Sequence, residues 1–270
     1  MSKILLLGAS GNLGSAVKSE LESRGLSFIC AGRSNFSVFE PLSIESIVKD
    51  YSPDYIVNCI SFNGIANCFA NRSSAMTING LFPLALSTLS SLHDFTLIHF
   101  STECVFCDSE VTISSDTLPS FPSTFYGVSK LHGEVRSICD SRSILIRLPL
   151  LLSMSSNSQI VWKLLRKMQL YNECSASCDV YSTPIYVEHL AKQLVTSMQK
   201  HFWPSRIIHA SSDVRVLLYE TVVNEARRLG IQNPNIIKCF DKDYFSPEAK
   251  PRLLGLKSSC SQFFFEMTYY

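Results

Sequence analysis

The sequence lacks any excess of one charge: 24 Lys and Arg stand against 23 Asp and Glu, for a net charge of +1. No basic block, aromatic-basic stripe or acidic tail occurs, so nothing anticipates the phosphate neutralisation that dominates nucleic-acid affinity, and a small-molecule site is expected instead. Long apolar runs are missing too. The opening stretch "MSKILLLGASG" has four apolar residues before Gly8, too few for a secretory signal, which reads as a cytoplasmic chain. The most apolar later run, "ILIRLPLLLSM", carries Arg147 and Pro149 and falls short of the ~20 residues that cross a bilayer. No membrane association is expected. The six histidines show no metal-ligand spacing, and His99, His132 and His189 read as structural or surface residues. The ten cysteines come without a secretion signal in a chain long enough to need no disulfide staples, so reduced thiols are expected. Cys104-x-x-Cys107 and Cys174-x-x-x-Cys178 lack the regular spacing of a zinc site, and no metal is expected. Internal repeats and low-complexity tracts are likewise missing, apart from serine enrichment over 109–123.

What is present is a core-forming composition, 46% hydrophobic over 270 residues, enough for one large domain or one domain with a smaller lobe. "KILLLGASGNLGSAVKSELESRG" reads as strand, glycine turn and helix, with Leu13, Val17 and Leu21 at helical spacing and Gly25 as C-cap. "LSFICAGR" is a second strand, and "SIESIVKDY" a helix with Ser43 as N-cap. "DYIVNCIS" is a third strand, and residues 64–92 are mainly helical. "FTLIHFST", "TFYGVSKLHGEVRSIC" and "SILIRLP" read as strand, helix and strand. Near-continuous apolar strands alternating with helices imply a parallel sheet covered on both faces. The expected class is α/β, a Rossmann-like doubly wound parallel sheet over residues 1–150. Residues 151–270 form a smaller substrate-binding lobe, with a segment near 179–200 returning to the first domain. Within that lobe "SQIVWKLLRKMQLY", "IYVEHLAKQLVTSMQ" and "VLLYETVVNEARRLG" are helices and "RIIHA" a short strand. The last 35 residues, with Pro234, Pro247 and Pro251, look loop-rich.

"GASGNLG" places Gly8, Gly11 and Gly14 directly after the first strand. There glycines permit the tight turn and a close approach of backbone to a pyrophosphate, while the helix N-terminus offers amide donors. After the second strand an NAD site would carry an acidic residue for the ribose 2′-hydroxyl. Here the chain reads Ala31-Gly32-Arg33-Ser34, whose arginine and hydroxyl suit a 2′-phosphate and favour NADPH over NADH. Ser101 and Thr102 end the fourth strand, at the edge where open α/β sheets bind ligands. Tyr126 and Lys130, four residues apart, share a helix face. A nearby ammonium would lower the tyrosine pKa from its ordinary ~10 and make it a better acid or base. Taken singly, Tyr126 would serve equally as a packed aromatic, Lys130 as a solvated cation paired with Glu134, and Thr102 as a strand cap. It is their order, behind a nucleotide turn and the mid-helix Asn79, that points to a proton-transfer site.

These segments resemble the extended short-chain dehydrogenase/reductase family, within it the dTDP-4-dehydrorhamnose reductase group. The motifs "GASGNLGS", "SPDYIVNCIS", "TINGLFP", "FSTECVF", "YGVSKLHGE", "STPIYVEHLAK" and "KPRLLGLKSS" cover nearly the whole chain in order. The resemblance implies NADPH-dependent reduction of a nucleotide-linked 4-keto-6-deoxy sugar in surface-polysaccharide synthesis, and is compatible with a homodimer. It assigns catalysis to Thr102, Tyr126 and Lys130, with Asn79 supporting the lysine. It adds Ser10, Asn12, Leu13, Cys59 and Ser61 to the cofactor residues, and Glu103, Val105, Phe106 and Arg252 to the substrate side. The chain departs from the family pattern at Ser37, where an acidic residue is usual, at Glu103 in place of aspartate, in "RLPLLL", and at Lys250-Pro251-Arg252. A sugar-nucleotide epimerase or dehydratase is the nearest alternative. A non-catalytic NADP-binding partner, like the regulatory subunit of methionine adenosyltransferase, is another.

Overall fold

A computed structural model describes residues 2–154, 160–241, 248, 251–258 and 260–267. Ser158 and Gln159 at the start of one expected helix, with Pro247 and Lys250, lie outside the described residues. Six strands form one sheet: β1 Ile4–Leu7, β2 Phe28–Ala31, β3 Tyr55–Asn58, β4 Thr96–Thr102, β5 Ile144–Leu148 and β6 Ile207–His209, in the order β2-β1-β3-β4-β5-β6. Every neighbouring pair is parallel. The sheet is thus longer by one strand than residues 1–150 supply, because "RIIHA" is its sixth member, with Ile208 opposite Ile146.

The run "ILLL" is buried at all four positions because alternate side chains enter two different cores. Ile4 and Leu6 join Leu13, Val17 and Leu21 of α1 (Asn12–Ser23). Against them lie Leu190 and Leu194, from a long helix over Val187–Lys200. Leu5 and Leu7 join Val48 of α2 (Glu45–Tyr51) and Phe82, Leu86 and Leu89 on the opposite face. Helix α1 ends with Gly25 at φ +61°, as its C-terminal signal implied. The start of α2 differs from expectation: a 3-10 turn over Pro41–Ile44 leads into it. Ser43 caps nothing there, for its hydroxyl accepts from the Ser37 amide at 3.0 Å and donates to the Ser37 carbonyl at 3.0 Å.

Residues 64–92 form α3 (Ile65–Ala70) and α4 (Arg72–His93). By length and composition α4 could cross a membrane, but Phe82, Leu86 and Leu89 belong to the second core. Within it Met76–Leu81 takes the wider π-helical winding, which often marks a functional position. Helix α5, Phe125–Ser137, starts at Thr124, whose hydroxyl accepts from the Gly127 amide at 3.1 Å. Two glycines let α5 approach other backbone. A Cβ on Gly127 would stand 2.2 Å from the Cys104 carbonyl oxygen, and one on Gly133 only 1.9 Å from that of Asn79.

Beyond β5 the chain leaves through Leu151–Leu152, which pairs in parallel with Ile185–Tyr186 on the way back. Between and after these strands lies a smaller lobe. Its helices α6 (Ile160–Tyr171) and α8 (Leu218–Arg228) cover the parallel strands Cys174–Ser177 and Ile236–Cys239. Leu164, Leu165, Met168, Val222 and Ala226 form its core. The Val187–Lys200 helix, α7 in order, returns to the main sheet. The C-terminal segment is not all loop: Leu256–Lys257 pairs with Ile113–Ser114 from the serine-rich stretch.

Gly133→Ala should destabilise the protein by about 1–3 kcal/mol, the usual cost of overpacking, because backbone rather than a flexible side chain blocks the new methyl. Urea unfolding checks this, and an unchanged midpoint would contradict the close approach.

Candidate active site

The glycine turn is built as its spacing implies. Gly8 has φ +76° and lies against the backbone of Cys59, which its Cβ would meet at 3.0 Å. A Cβ on Gly14 would be 2.1 Å from the Gly8 carbonyl oxygen, and the Gly11 amide donates to that same oxygen at 3.0 Å. Gly11 is the N-cap of α1 and brings no side chain to it, so no capping side chain covers the amides at the positive end of the helix. Ser10 and Gly11 are exposed, Asn12 is partly buried, and Leu13 turns into the core; the backbone amide is what Leu13 has to offer. This cradle fits a pyrophosphate. Arg33 and Ser34 follow β2, both exposed. Since Leu7 is paired with Ala31, they leave the sheet beside the glycine turn.

The carboxyl end of β4 gathers the other expected groups. Thr102 is buried and its hydroxyl accepts from the Cys104 amide at 3.3 Å, capping a 3-10 turn over Glu103–Val105. Lys130 is not a solvated cation: it is buried, and its Nζ donates to the Phe100 carbonyl at 2.6 Å. Burial pushes the ammonium down to about 8, with Glu134 and Cys68 pulling back up. Tyr126 departs from expectation. Burial raises its phenol well above the ordinary value, Cys104 adds to the rise, and the hydrogen bond with Thr102 draws it partly back. The expected lowering by a lysine ammonium does not operate, since Lys130 is turned to the strand carbonyl. The consequence is a phenol that stays protonated at neutral pH, the form a proton donor needs.

Asn79 sits in the π-wound turn, 1% exposed. Its Oδ1 accepts from the Phe62 amide at 2.8 Å and the Ser61 hydroxyl at 3.2 Å. Its Nδ2 donates to the Phe62 carbonyl at 2.9 Å and Ser129 Oγ at 3.0 Å. It therefore braces the loop after β3 and the residue next to Lys130, and supports the lysine through the helix rather than by touching it. Cys59 hydrogen-bonds the Leu7 carbonyl through its amide at 3.0 Å, and burial pushes its thiol up.

Among the residues expected on the substrate side, Glu103 is buried and both its oxygens accept from the Ser182 hydroxyl, at 2.8 and 3.0 Å. Val105 and Phe106 are buried with Ile113, Leu254 and Leu256, and Tyr126 packs against this cluster. Arg252 is exposed, with Nη1 3.7 Å from Asp179 Oδ2. Thr183 binds the Leu256 backbone, accepting from its amide at 3.1 Å and donating to its carbonyl at 3.2 Å.

Sequence reasoning missed one element. Arg147, 2% exposed, donates through Nε to Glu134 Oε1 at 3.0 Å and through Nη2 to the same oxygen. Its Nη1 donates to His209 Nε2 at 3.1 Å, and its guanidinium lies 5.0 Å over the Phe106 ring. His209, held down to about 4 by burial and by Arg147, stays neutral and accepts there. The charged residue inside the apolar strand "ILIRL" was the available signal, because a lone arginine so placed needs a buried partner.

Residues 2–266 match the family described as RmlD substrate binding domain. The chain is 24% identical over 252 residues to the spore coat polysaccharide biosynthesis protein SpsK of Bacillus subtilis, covering 93% of this chain and 87% of that one. It is 24% identical over 251 residues to a dTDP-4-keto-6-deoxy-D-glucose reductase of Streptomyces niveus, covering 92% and 86%. The crystal structure of dTDP-4-dehydrorhamnose reductase from Bacillus anthracis in complex with NADP superposes with a TM-score of 0.89 at 19% identity, covering 99% of this chain and 95% of that one. At that identity the likeness is one of fold.

Because the folded pKa of Lys130 lies near 8 and the unfolded one near 10.4, the unfolded chain holds this proton more tightly. The penalty for burying the charge is present below pH 8 and is relieved as pH rises towards 10. The unfolding free energy of wild type relative to Lys130→Met should therefore increase between pH 7 and pH 10, by on the order of 1–2 kcal/mol. Denaturant titrations at the two pH values check it, and a difference independent of pH would mean that the lysine is not buried as a charge.

Proposed function

Since the chain belongs to the family described as RmlD substrate binding domain, we propose that it is an NADPH-dependent reductase of a nucleotide-linked 4-keto-6-deoxy sugar, serving deoxysugar and polysaccharide synthesis. One observation carries this reading: a tyrosine held protonated by burial stands with Thr102 at the carboxyl end of β4, on the same helix as a buried ammonium. The names of the relatives, a polysaccharide biosynthesis protein and a keto-deoxyglucose reductase, support the substrate class.

The residues present fit the cofactor. Gly8, Gly11 and Gly14, with the N-terminal amides of α1, would hold the pyrophosphate, Arg33 the 2′-phosphate, and Lys130 the nicotinamide ribose. When bound, NADPH supplies the hydride that reduces the keto carbon. Tyr126 gives its phenolic proton to the oxygen of that carbon, while Thr102 hydrogen-bonds the same oxygen and keeps it in reach. Glu103, Val105, Phe106 and Arg252 form the sugar and nucleotide side of the reading. An epimerase or dehydratase is disfavoured because Glu103, the acidic residue beside Thr102, has both oxygens engaged by Ser182.

Tyr126→Phe should lower turnover by about 100-fold or more, the scale of a lost general acid, with NADPH binding nearly intact. NADPH absorbance followed with an enzymatically prepared dTDP-4-keto-6-deoxy sugar measures this; near-normal turnover in the variant would remove the proton-donor role. NADPH bound but never oxidised by wild type would favour a non-catalytic partner protein. Arg33→Ala should weaken NADPH more than NADH in a binding titration, and equal losses would refute the 2′-phosphate assignment.

A further inference from the structure

Resting on the NADPH reading, we propose that Asn35 is the residue that discriminates the 2′-phosphate, presenting its amide N–H donors beside the guanidinium of Arg33. The turn after β2 is closed by Asn35 twice. Its backbone amide donates to the Gly32 carbonyl at 2.8 Å, and its side-chain Oδ1 accepts from the Gly32 amide at 3.0 Å. A backbone N–H can only donate, so the atom facing it must be the oxygen. Ser34 donates its hydroxyl to the same Oδ1 at 3.3 Å. With the oxygen turned inward on two donors, the amide nitrogen turns outward, and among the described residues nothing accepts from it.

The turn is held from below. Phe36 is buried, stacks on Phe82 with ring centroids 5.6 Å apart and 15° between the planes, and its amide donates to the Gly32 carbonyl at 3.2 Å. Asn35 and Arg33 are exposed on this anchored turn, next to the glycine turn through the pairing of Leu7 with Ala31. A phosphate monoester offers acceptors only, which matches outward N–H groups and a guanidinium. Ser34, the neighbour that its position after β2 first favours, has its hydrogen committed to Asn35.

Asn35→Asp tests the inference, since it keeps an oxygen for Gly32 and Ser34 while replacing the outward donors by an acceptor. Calorimetric binding of adenosine 2′,5′-bisphosphate and of adenosine 5′-monophosphate to the whole protein reads the phosphate alone, with no turnover. Affinity for the bisphosphate should fall about 10- to 100-fold, the range for a lost bond to a charged group, while that for the monophosphate changes by less than about twofold. Asn35→Ala, which loses both the donors and the turn closure, should weaken both ligands, with the larger loss for the bisphosphate. A wild-type preference for the bisphosphate that persists in Asn35→Asp would overturn the inference and leave the NADPH reading standing. Wild-type protein binding the two ligands equally would overturn both.

Discussion

Helix α5 lies against backbone at two points, the carbonyl of Cys104 and that of Asn79, and it reaches them only because residues 127 and 133 carry no Cβ. Everything at the site follows from this seating. With the helix so close to the end of β4, Lys130 reaches the Phe100 carbonyl and Tyr126 meets Thr102. At the other contact the π-wound turn of α4 brings Asn79 onto Ser129. Thr102, Tyr126 and Lys130 are thereby held by main chain, which has fewer ways to move than packed side chains do.

The same helix is anchored from the far side by a buried ion pair. Glu134 and Arg147 are both nearly inaccessible, and removing one partner of such a pair costs about 3–5 kcal/mol because the other charge is stranded. Arg147 belongs to β5 and also reaches His209 of β6, so the pair joins α5 to two strands at once. Glu134 is one helical turn from Lys130 and holds its pKa up against burial. A single carboxylate thus serves both the seating of the helix and the charge state of the lysine.

Much of this was legible in the residues. "ILLL" is apolar at every position and "YIV" continues the pattern in the third strand, as strands buried on both faces require. The spacing of Gly8, Gly11 and Gly14 demanded a turn that the backbone adopts. What escaped notice depended on distant partners. "RIIHA" looks like any short apolar segment, and its place in the main sheet is set by the free edge of β5, some 60 residues earlier in sequence. Ser43 had the chemistry of a cap, but the proline two places before it started a 3-10 turn earlier than expected. The direction of the Tyr126 shift could not be read from Tyr-x-x-x-Lys, because spacing puts two side chains on one face and says nothing of the carbonyl that captures the lysine. Asn35 gave no signal at all: its importance lies in which end of its amide faces inward.

The path of the chain between β5 and β6 bears on how such a protein is assembled from parts. The smaller lobe is entered through Leu151–Leu152, and the chain returns through Ile185–Tyr186, paired side by side in parallel. Only after that return come α7, which covers α1, and β6, which closes the edge of the sheet. Residues 1–150 are therefore not a module to which a second was appended. A chain cut there would leave the apolar side of α1 bare and the β5 ladder open to any strand that met it. Part of the lobe is an excursion from an unfinished nucleotide-binding fold, and ribosomal synthesis must produce that excursion before the first fold can close.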